Sequence, residues 1–237
     1  MREQATYAVI GTDTEVGKTV VGCGLSKALV DMGHPTIAIK PVETGCRAVP
    51  VGAEDGVRLA SATGQQMPTH ALRRFVTPVA PPVAADLEGE SLEYDALIQS
   101  IRDAMHPDHI HLIEGAGGLL SPITWSTTMI EICQDLGAQA ILVASDKLGV
   151  LNHTRMTVRI LEHAKIPIAA IVLCRAEHPA PRPPHELKPH SIDASVGRNL
   201  DALRRLVGPE DVIYLPYLAD TKEAAKVLQP LAAQLAG

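Results

Sequence analysis

Aromatic side chains are nearly absent from this chain: one Phe, one Trp and four Tyr among 237 residues, 3% in all. A core without them has to be filled by Val, Ile, Leu and Ala. That suits a parallel sheet covered by helices on both faces, whose strands read as near-continuous aliphatic runs. No stretch reaches the roughly 18–20 uninterrupted apolar residues of a membrane span. Met1-Arg2-Glu3-Gln4 leads straight into an aliphatic run, with no signal-peptide apolar region between them. An excess of positive charge is lacking too. Lys and Arg total 21 against 27 Asp and Glu, a net −6, which argues against a general nucleic-acid or anionic-membrane partner. The four cysteines, Cys23, Cys46, Cys133 and Cys174, are scattered with no C-x-x-C pair. Neither a disulfide framework nor a thiolate metal site is expected from them, and free thiols fit the cytoplasm.

What the chain does have is alternation. Aliphatic runs predict strands at Tyr7–Ile10, Thr36–Ile39, Ile110–Ile113, Ala140–Ala144, Ile168–Leu173 and Val212–Leu215, with a weaker seventh around Ala71–Phe75. Helical patterns fall between them at Val20–Met32, Glu54–Ala62, Leu92–Met105, Thr128–Leu136, Val150–Ala164, Asp193–Leu206 and Thr221–Leu235. Strand–helix alternation with right-handed crossovers predicts an α/β fold: one doubly wound, mostly parallel sheet of about seven strands, with residues 1–237 as a single domain. Two proline-rich stretches interrupt the pattern. Thr77–Val83 holds three prolines and reads as a loop or connector. His178–His190, with five prolines and three histidines, reads as an extended connector and not as a metal site.

The most specific signal is Gly11-Thr12-Asp13-Thr14-Glu15-Val16-Gly17-Lys18-Thr19, set between a strand and a helix. Backbone N–H groups of such a loop, and of the helix N-terminus behind it, point at phosphate oxygens. Lys18 would reach the β/γ-phosphates and the Thr19 hydroxyl would ligate Mg²⁺. A lysine at a positive helix end is unfavourable unless an anion is there to meet it. The spacing departs from G-x-x-x-x-G-K-[ST] by one residue: five residues separate Gly11 from Gly17, and Thr12 stands where the first glycine belongs.

Ligands of an open α/β sheet collect outside the carboxyl ends of its strands, which selects what can meet this loop. The second strand ends at Lys40-Pro41-Val42-Glu43-Thr44-Gly45, and proline keeps the residue before it extended, directing Lys40 into the crevice. The Ile110–Ile113 strand ends at Glu114-Gly115-Ala116-Gly117-Gly118, where glycines allow close backbone approach. Glu114 is placed to serve Mg²⁺, which takes hard oxygen ligands. Asp55 is a plausible third contributor, or simply a carboxylate at a helix start. The Ala140–Ala144 strand leads to Lys147-Leu148-Gly149, with Asn152-His153 in the next helical turn.

These four blocks, in this order and spacing and including the longer loop, resemble the dethiobiotin synthetase family of P-loop NTPases. Leu215-Pro216-Tyr217-Leu218 is similar to that family's late nucleotide-base loop. The resemblance spans nearly the whole chain. It implies a reaction in which 7,8-diaminopelargonate, CO₂ and MgATP give dethiobiotin, ADP and phosphate, through a carbamate that attacks the γ-phosphate. Lys18, Lys40, Thr14 and Glu15 would then attend the reacting groups, with Thr19, Asp55 and Glu114 around Mg²⁺. Val16, Gly17, Gly115, Ala116 and Gly117 would contact the nucleotide, and Cys174, Leu215, Pro216 and Tyr217 its base. Thr44, Gly117, Leu148, Gly149 and Asn152 would hold the diamine. In the family the last three come from a second subunit, which implies a homodimer with a shared site.

Two departures stand out. Cys174 occupies the place of an asparagine that reads adenine in many family members, and a thiol lacks the amide's paired donor and acceptor. Ala80-Pro81-Pro82 replaces a Ser-Pro-His found there in relatives. Two other readings share the loop. A cobyrinate-amidating enzyme needs a glutaminase domain for which this chain has no room. A ParA-like partition ATPase carries an early lysine in K-G-G-x-G-K-T, and no lysine precedes Lys18 here.

Overall fold

Successive residues of the first strand, β1 (Thr6–Gly11), point to opposite faces of a sheet, and both faces are apolar and covered. Tyr7 and Val9 pack with Leu112, Ile141, Val143 and Val172 on one side. Ala8 and Ile10 pack with Ile37, Ile39, Ile113 and Ala140 on the other. A strand buried on both faces has no polar side to show, which is why these segments read as unbroken aliphatic runs. The computed structural model describes residues 5–46, 50–175, 193, 195–208, 212–218 and 220–237. The proline-rich stretch His178–His190 lies outside the described residues.

In chain order β1 is followed by α1 (Lys18–Asp31), β2 (Thr36–Ile39), β3 (Val42–Glu43), α2 (Asp55–Thr63), β4 (Arg73–Arg74), α3 (Pro81–Glu88), α4 (Tyr94–Ala104) and β5 (Ile110–Gly118). Then come α5 (Met129–Leu136), β6 (Gln139–Ser145), α6 (Val150–His163), β7 (Ile168–Cys174), α7 (Asn199–Val207), β8 (Val212–Leu215) and α8 (Thr221–Ala236). Six strands form one sheet in the order β2-β5-β1-β6-β7-β8, every pair parallel. Residues of α1, α2 and α8 cover one face, and residues of α3 to α7 cover the other. This is the doubly wound α/β architecture that the alternation predicts. No helix among the described residues is long and apolar enough to cross a membrane.

Three local expectations are corrected. The weak seventh strand does not join the main sheet: only Arg73–Arg74 is extended, paired with Val42–Glu43 in a two-stranded ladder. The prolines of Thr77–Val83 do not exclude a helix, because Pro81 and Pro82 open α3 at its first two positions. There the missing N–H costs nothing and the fixed φ suits the helix. The helix predicted over Asp193–Leu206 begins only at Asn199, because the polar residues before it form a turn. Asp193 Oδ1 accepts from Ser195 N (2.9 Å) and Ser195 Oγ (2.6 Å), bonds that compete with helix.

Candidate nucleotide and metal site

The loop after β1 is shaped by its glycines. A Cβ on Gly11 would lie 2.5 Å from Asp13 O and 2.8 Å from Lys18 Nζ, so only glycine lets the loop turn back on itself there. Gly11 thus fills the part of the first glycine, and the Thr12 N–H bonds Val143 O (2.9 Å) instead. Glu15 (φ 55°) and Gly17 (φ 102°) take left-handed backbone, while Val16 is buried in the core and anchors the loop. Val21 is the first residue of α1 whose N–H finds a carbonyl, Gly17 O at 3.0 Å. The N–H groups at the start of α1 are left for an anion.

Lys18 is buried, its ammonium donating to Asp13 O (3.0 Å). Burial, and then the nearby Lys40 charge, pull its pKa down to about 8. Lys40 is more deeply enclosed. Its ammonium donates to Glu114 Oε1 (2.7 Å), Asp55 Oδ2 (2.9 Å) and Gly115 O (3.4 Å). Burial works to lower its pKa, but the Glu114 and Asp55 carboxylates together outweigh burial and hold it above the usual lysine value. Burial likewise works to raise the Asp55 pKa; Lys40 and Thr19 outweigh it and keep the carboxyl below its usual value.

The Thr19 hydroxyl oxygen lies 2.8 Å from Asp55 Oδ1 and 2.8 Å from Glu114 Oε1. One hydroxyl proton can serve only one of these oxygens. Glu114 Oε2 is buried with no hydrogen-bond partner among the described residues. Three hard oxygen donors that crowd together with too few protons between them, and an orphaned carboxylate oxygen beside them, fit a divalent cation of the Mg²⁺ kind.

A cleft of about 560 Å³ runs along the strand ends. At one end it is lined by Lys40, Thr44 and Asp55, at its middle by Thr14, Glu15, Gly17, Lys18, Thr19, Ala116 and Gly117, and at the other end by Cys174, Leu215, Pro216 and Tyr217. Glu114 and Gly115 sit behind this lining, joined to it by their bonds to Lys40. These predicted residues therefore meet. Leu148, Gly149 and Asn152 do not: they are exposed at the start of α6, outside this cleft of their own chain.

Two residues that the sequence reading did not single out belong to the site. The buried Glu43 carboxylate accepts from Asp55 N (2.6 Å) and Gly56 N (3.0 Å), capping α2 and thereby fixing Asp55. It was visible only as a member of the Lys40–Gly45 block. Arg175 lines the cleft beside Cys174, where only its position after a strand end could have marked it. The buried group of Glu43, Cys46 and Glu54 does not compete as a metal centre. Glu43 is taken up by α2, and Arg74 holds both Glu54 oxygens (2.7 and 3.1 Å).

A six-stranded parallel sheet with a glycine-bounded Lys-Thr loop at the end of its central strand defines the P-loop NTPase class. The chain is similar in fold to the MinC:MinD cell division complex of Aquifex aeolicus, with TM-score 0.52, 12% identity, and 98% of this chain and 95% of that one covered. The profile of a family described as an AAA domain matches residues 5–225. The chain is 35% identical over 222 residues to the ATP-dependent dethiobiotin synthetase BioD of Anaeromyxobacter dehalogenans strain 2CP-C, covering 93% of each. It is 38% identical to that of Caulobacter sp. strain K31 over 70% of this chain and 74% of the relative. The chain belongs to the dethiobiotin synthetase family and, with it, to the ligases.

Proposed function

We propose that this protein closes the ureido ring of dethiobiotin from 7,8-diaminopelargonate and CO₂, using ATP and Mg²⁺, with residues 1–237 working as one domain in the cytoplasm. The observation that carries the reading is Lys40: a buried ammonium at the end of a phosphate-binding cleft, held between the carboxylates of Asp55 and Glu114.

One amine of the diamine adds to CO₂, loses a proton and becomes a carbamate. A carbamate oxygen attacks the γ-phosphorus and ADP leaves. The second amine then attacks the carbonyl carbon of the mixed anhydride, closing the ring and expelling phosphate. Phosphoryl transfer of this kind needs positioning and charge neutralisation more than covalent help. The loop N–H groups hold the β-phosphate and Lys18 meets the γ-phosphate oxygens. Lys40 faces the carbamate, while Thr14 and Glu15 border the same space. Gly115, Ala116 and Gly117 bring backbone against the phosphates, Thr44 contacts the diamine, and Leu215 to Tyr217 receive the base beside Cys174. Thr19, Asp55 and Glu114 would hold Mg²⁺, which supplies positive charge against the phosphate oxygens.

The site is completed by a second copy of the chain. What supports this is the exposure of Leu148 (79%) and Met156 (53%) on and beside α6, together with the place of Leu148, Gly149 and Asn152 outside their own cleft. The N-terminus of α6 would present its N–H groups to the diamine's carboxylate in the partner's cleft.

The test is ADP release measured with each component left out in turn. Diaminopelargonate, bicarbonate and Mg²⁺ should all be needed together. ADP release indifferent to the diamine overturns the proposal.

A further inference from the structure

The two ends of the cleft differ in what they offer a ligand. Lys40, Asp55 and Glu114 gather at the end near β2 and β5, with the phosphate loop in the middle. The base of a bound nucleotide therefore lies at the other end, between the ends of β7 and β8. There Gly17 packs so closely on Cys174 that a Cβ would sit 3.1 Å from the cysteine Cβ. The base accordingly rests beyond this contact, among Cys174, Arg175 and Leu215 to Leu218.

The polar groups of this end are unevenly divided. Two backbone carbonyls here already accept: Cys174 O from Asp146 N (2.7 Å) and Leu215 O from Arg175 N (2.9 Å). The Cys174 side chain is buried, and burial pushes its thiol up to about 12, so it stays a neutral and weakly polar group. Arg175 is half-buried, lines the cleft, and its guanidinium makes no hydrogen bond or ion pair among the described residues. Among the described residues the Arg175 guanidinium is thus a donor group at this end without a partner. A guanidinium donates only, in a fixed fork.

We infer that Arg175 makes this end of the cleft a 6-oxopurine site, so that guanine and hypoxanthine nucleotides bind at least as well as adenine nucleotides. A 6-oxopurine presents two adjacent acceptors, O6 and N7, which match the guanidinium fork bidentately. Adenine presents N7 beside the N6 amino group, a donor, and that pair matches the fork with one bond instead of two. The inference rests on the reading of this cleft as the nucleotide site, and it concerns which base that site takes.

Equilibrium binding tests it apart from the ligase reaction. ADP, GDP and IDP are titrated calorimetrically into the full-length protein with Mg²⁺ present, for the wild type, Arg175→Ala and Arg175→Lys. GDP and IDP are expected to bind the wild type at least as tightly as ADP. The GDP-to-ADP affinity ratio is expected to fall about 10- to 100-fold in Arg175→Ala, the range of one bidentate base contact. IDP should follow GDP, because it shares O6 and N7 but lacks the 2-amino group. Arg175→Lys should recover only part of the ratio, since an ammonium has no fork. ADP binding ten times tighter than GDP in the wild type, or a ratio unmoved in Arg175→Ala, overturns the inference. Loss of diamine-dependent turnover would count against the proposed reaction and leave the affinity ratio as it stands.

Discussion

Lys40 and Glu114 meet beneath the cleft lining with Nζ 2.7 Å from Oε1, their side chains only 5% and 1% exposed. Breaking a pair so enclosed strands the remaining charge in a medium that solvates it poorly. Lys40→Met should therefore lose on the order of 3–5 kcal/mol of stability in urea. Added Mg²⁺ should restore more stability to this variant than to the wild type, because a cation beside Asp55 and Glu114 replaces the one removed. Turnover should fall roughly 10²- to 10³-fold, the effect of removing one charge-stabilising group at a reacting centre. ATP affinity should change less. Stability curves with and without Mg²⁺, set beside single-turnover rates, check all three expectations.

The Glu43 carboxylate holds the N-terminus of α2 through Asp55 N and Gly56 N. Groups that orient a metal ligand typically change metal affinity by about 10- to 100-fold when removed. Glu43→Ala is expected to raise the Mg²⁺ concentration for half-maximal turnover by about that factor. Glu43→Gln, which keeps an acceptor for one N–H, should fall between. Nucleotide affinity measured without Mg²⁺ should separate this effect from loss of the cleft itself.

Much of this was legible in the sequence because burial on both faces writes itself as aliphatic runs. The strands Thr36–Ile39 and Val212–Leu215 match to the residue. The convergence of Lys18, Thr19, Lys40 and Glu114 followed from one rule, that strand ends of an open sheet share a crevice, whereas Asp55, at a helix start, was assigned to the same place only through the family resemblance. What was not legible depends on contacts between distant residues. Prolines at positions 81 and 82 look like breakers until the helix start they occupy is known. Glu43 looks like any strand-end carboxylate until α2 is seen resting on it. The turn that delays α7 is also held from a distance by Asp146, whose Oδ2 and Oδ1 accept from Gly197 N (2.9 Å) and Asn199 Nδ2 (2.8 Å), partners some fifty residues away. No local periodicity carries that second contact.

His111 is 4% exposed at the start of β5, with Nε2 accepting from His106 N at 3.0 Å and Nδ1 buried without a partner among the described residues. Burial first, and then repulsion from His109 and His106, pull its pKa from 6.5 down to about 4, so the native ring is neutral. The sign follows. Above pH 6.5 both folded and unfolded chains carry a neutral ring and its stabilising effect is complete. As pH falls from 6.5 to 4 the unfolded chain takes up a proton that the native site resists, and stability drops. The fall should be on the order of 3 kcal/mol. His111→Gln keeps an acceptor for His106 N but does not titrate. Urea stability between pH 7.5 and 4 should decline by about that much less in the variant; equal slopes would show that His111 does not set the dependence.

The proposed shared site makes a prediction that no single-chain site can imitate. If Lys40 acts in one subunit's cleft while Asn152 reaches in from the other, Lys40→Ala and Asn152→Ala homodimers each carry two defective sites. In a mixed dimer both lesions fall in one site, and the second site combines the intact Lys40 of one chain with the intact Asn152 of the other. With random exchange half the dimers are mixed and each has one good site, so an equimolar mixture should regain about a quarter of wild-type activity under two-fold symmetry. Both variants should be assayed alone and after mixing, at diamine concentrations too low to mask a binding defect. Recovery should appear at the rate of subunit exchange and vanish when the subunits are cross-linked beforehand. A mixture no more active than the mean of its two components would place Asn152 in the same chain's site or outside the reaction. Asn152 is exposed beside Arg155, Met156 and Leu206 along a surface groove of α6 and α7, so its truncation should leave stability within roughly 0.5 kcal/mol of wild type. A failed rescue could not then be ascribed to unfolding.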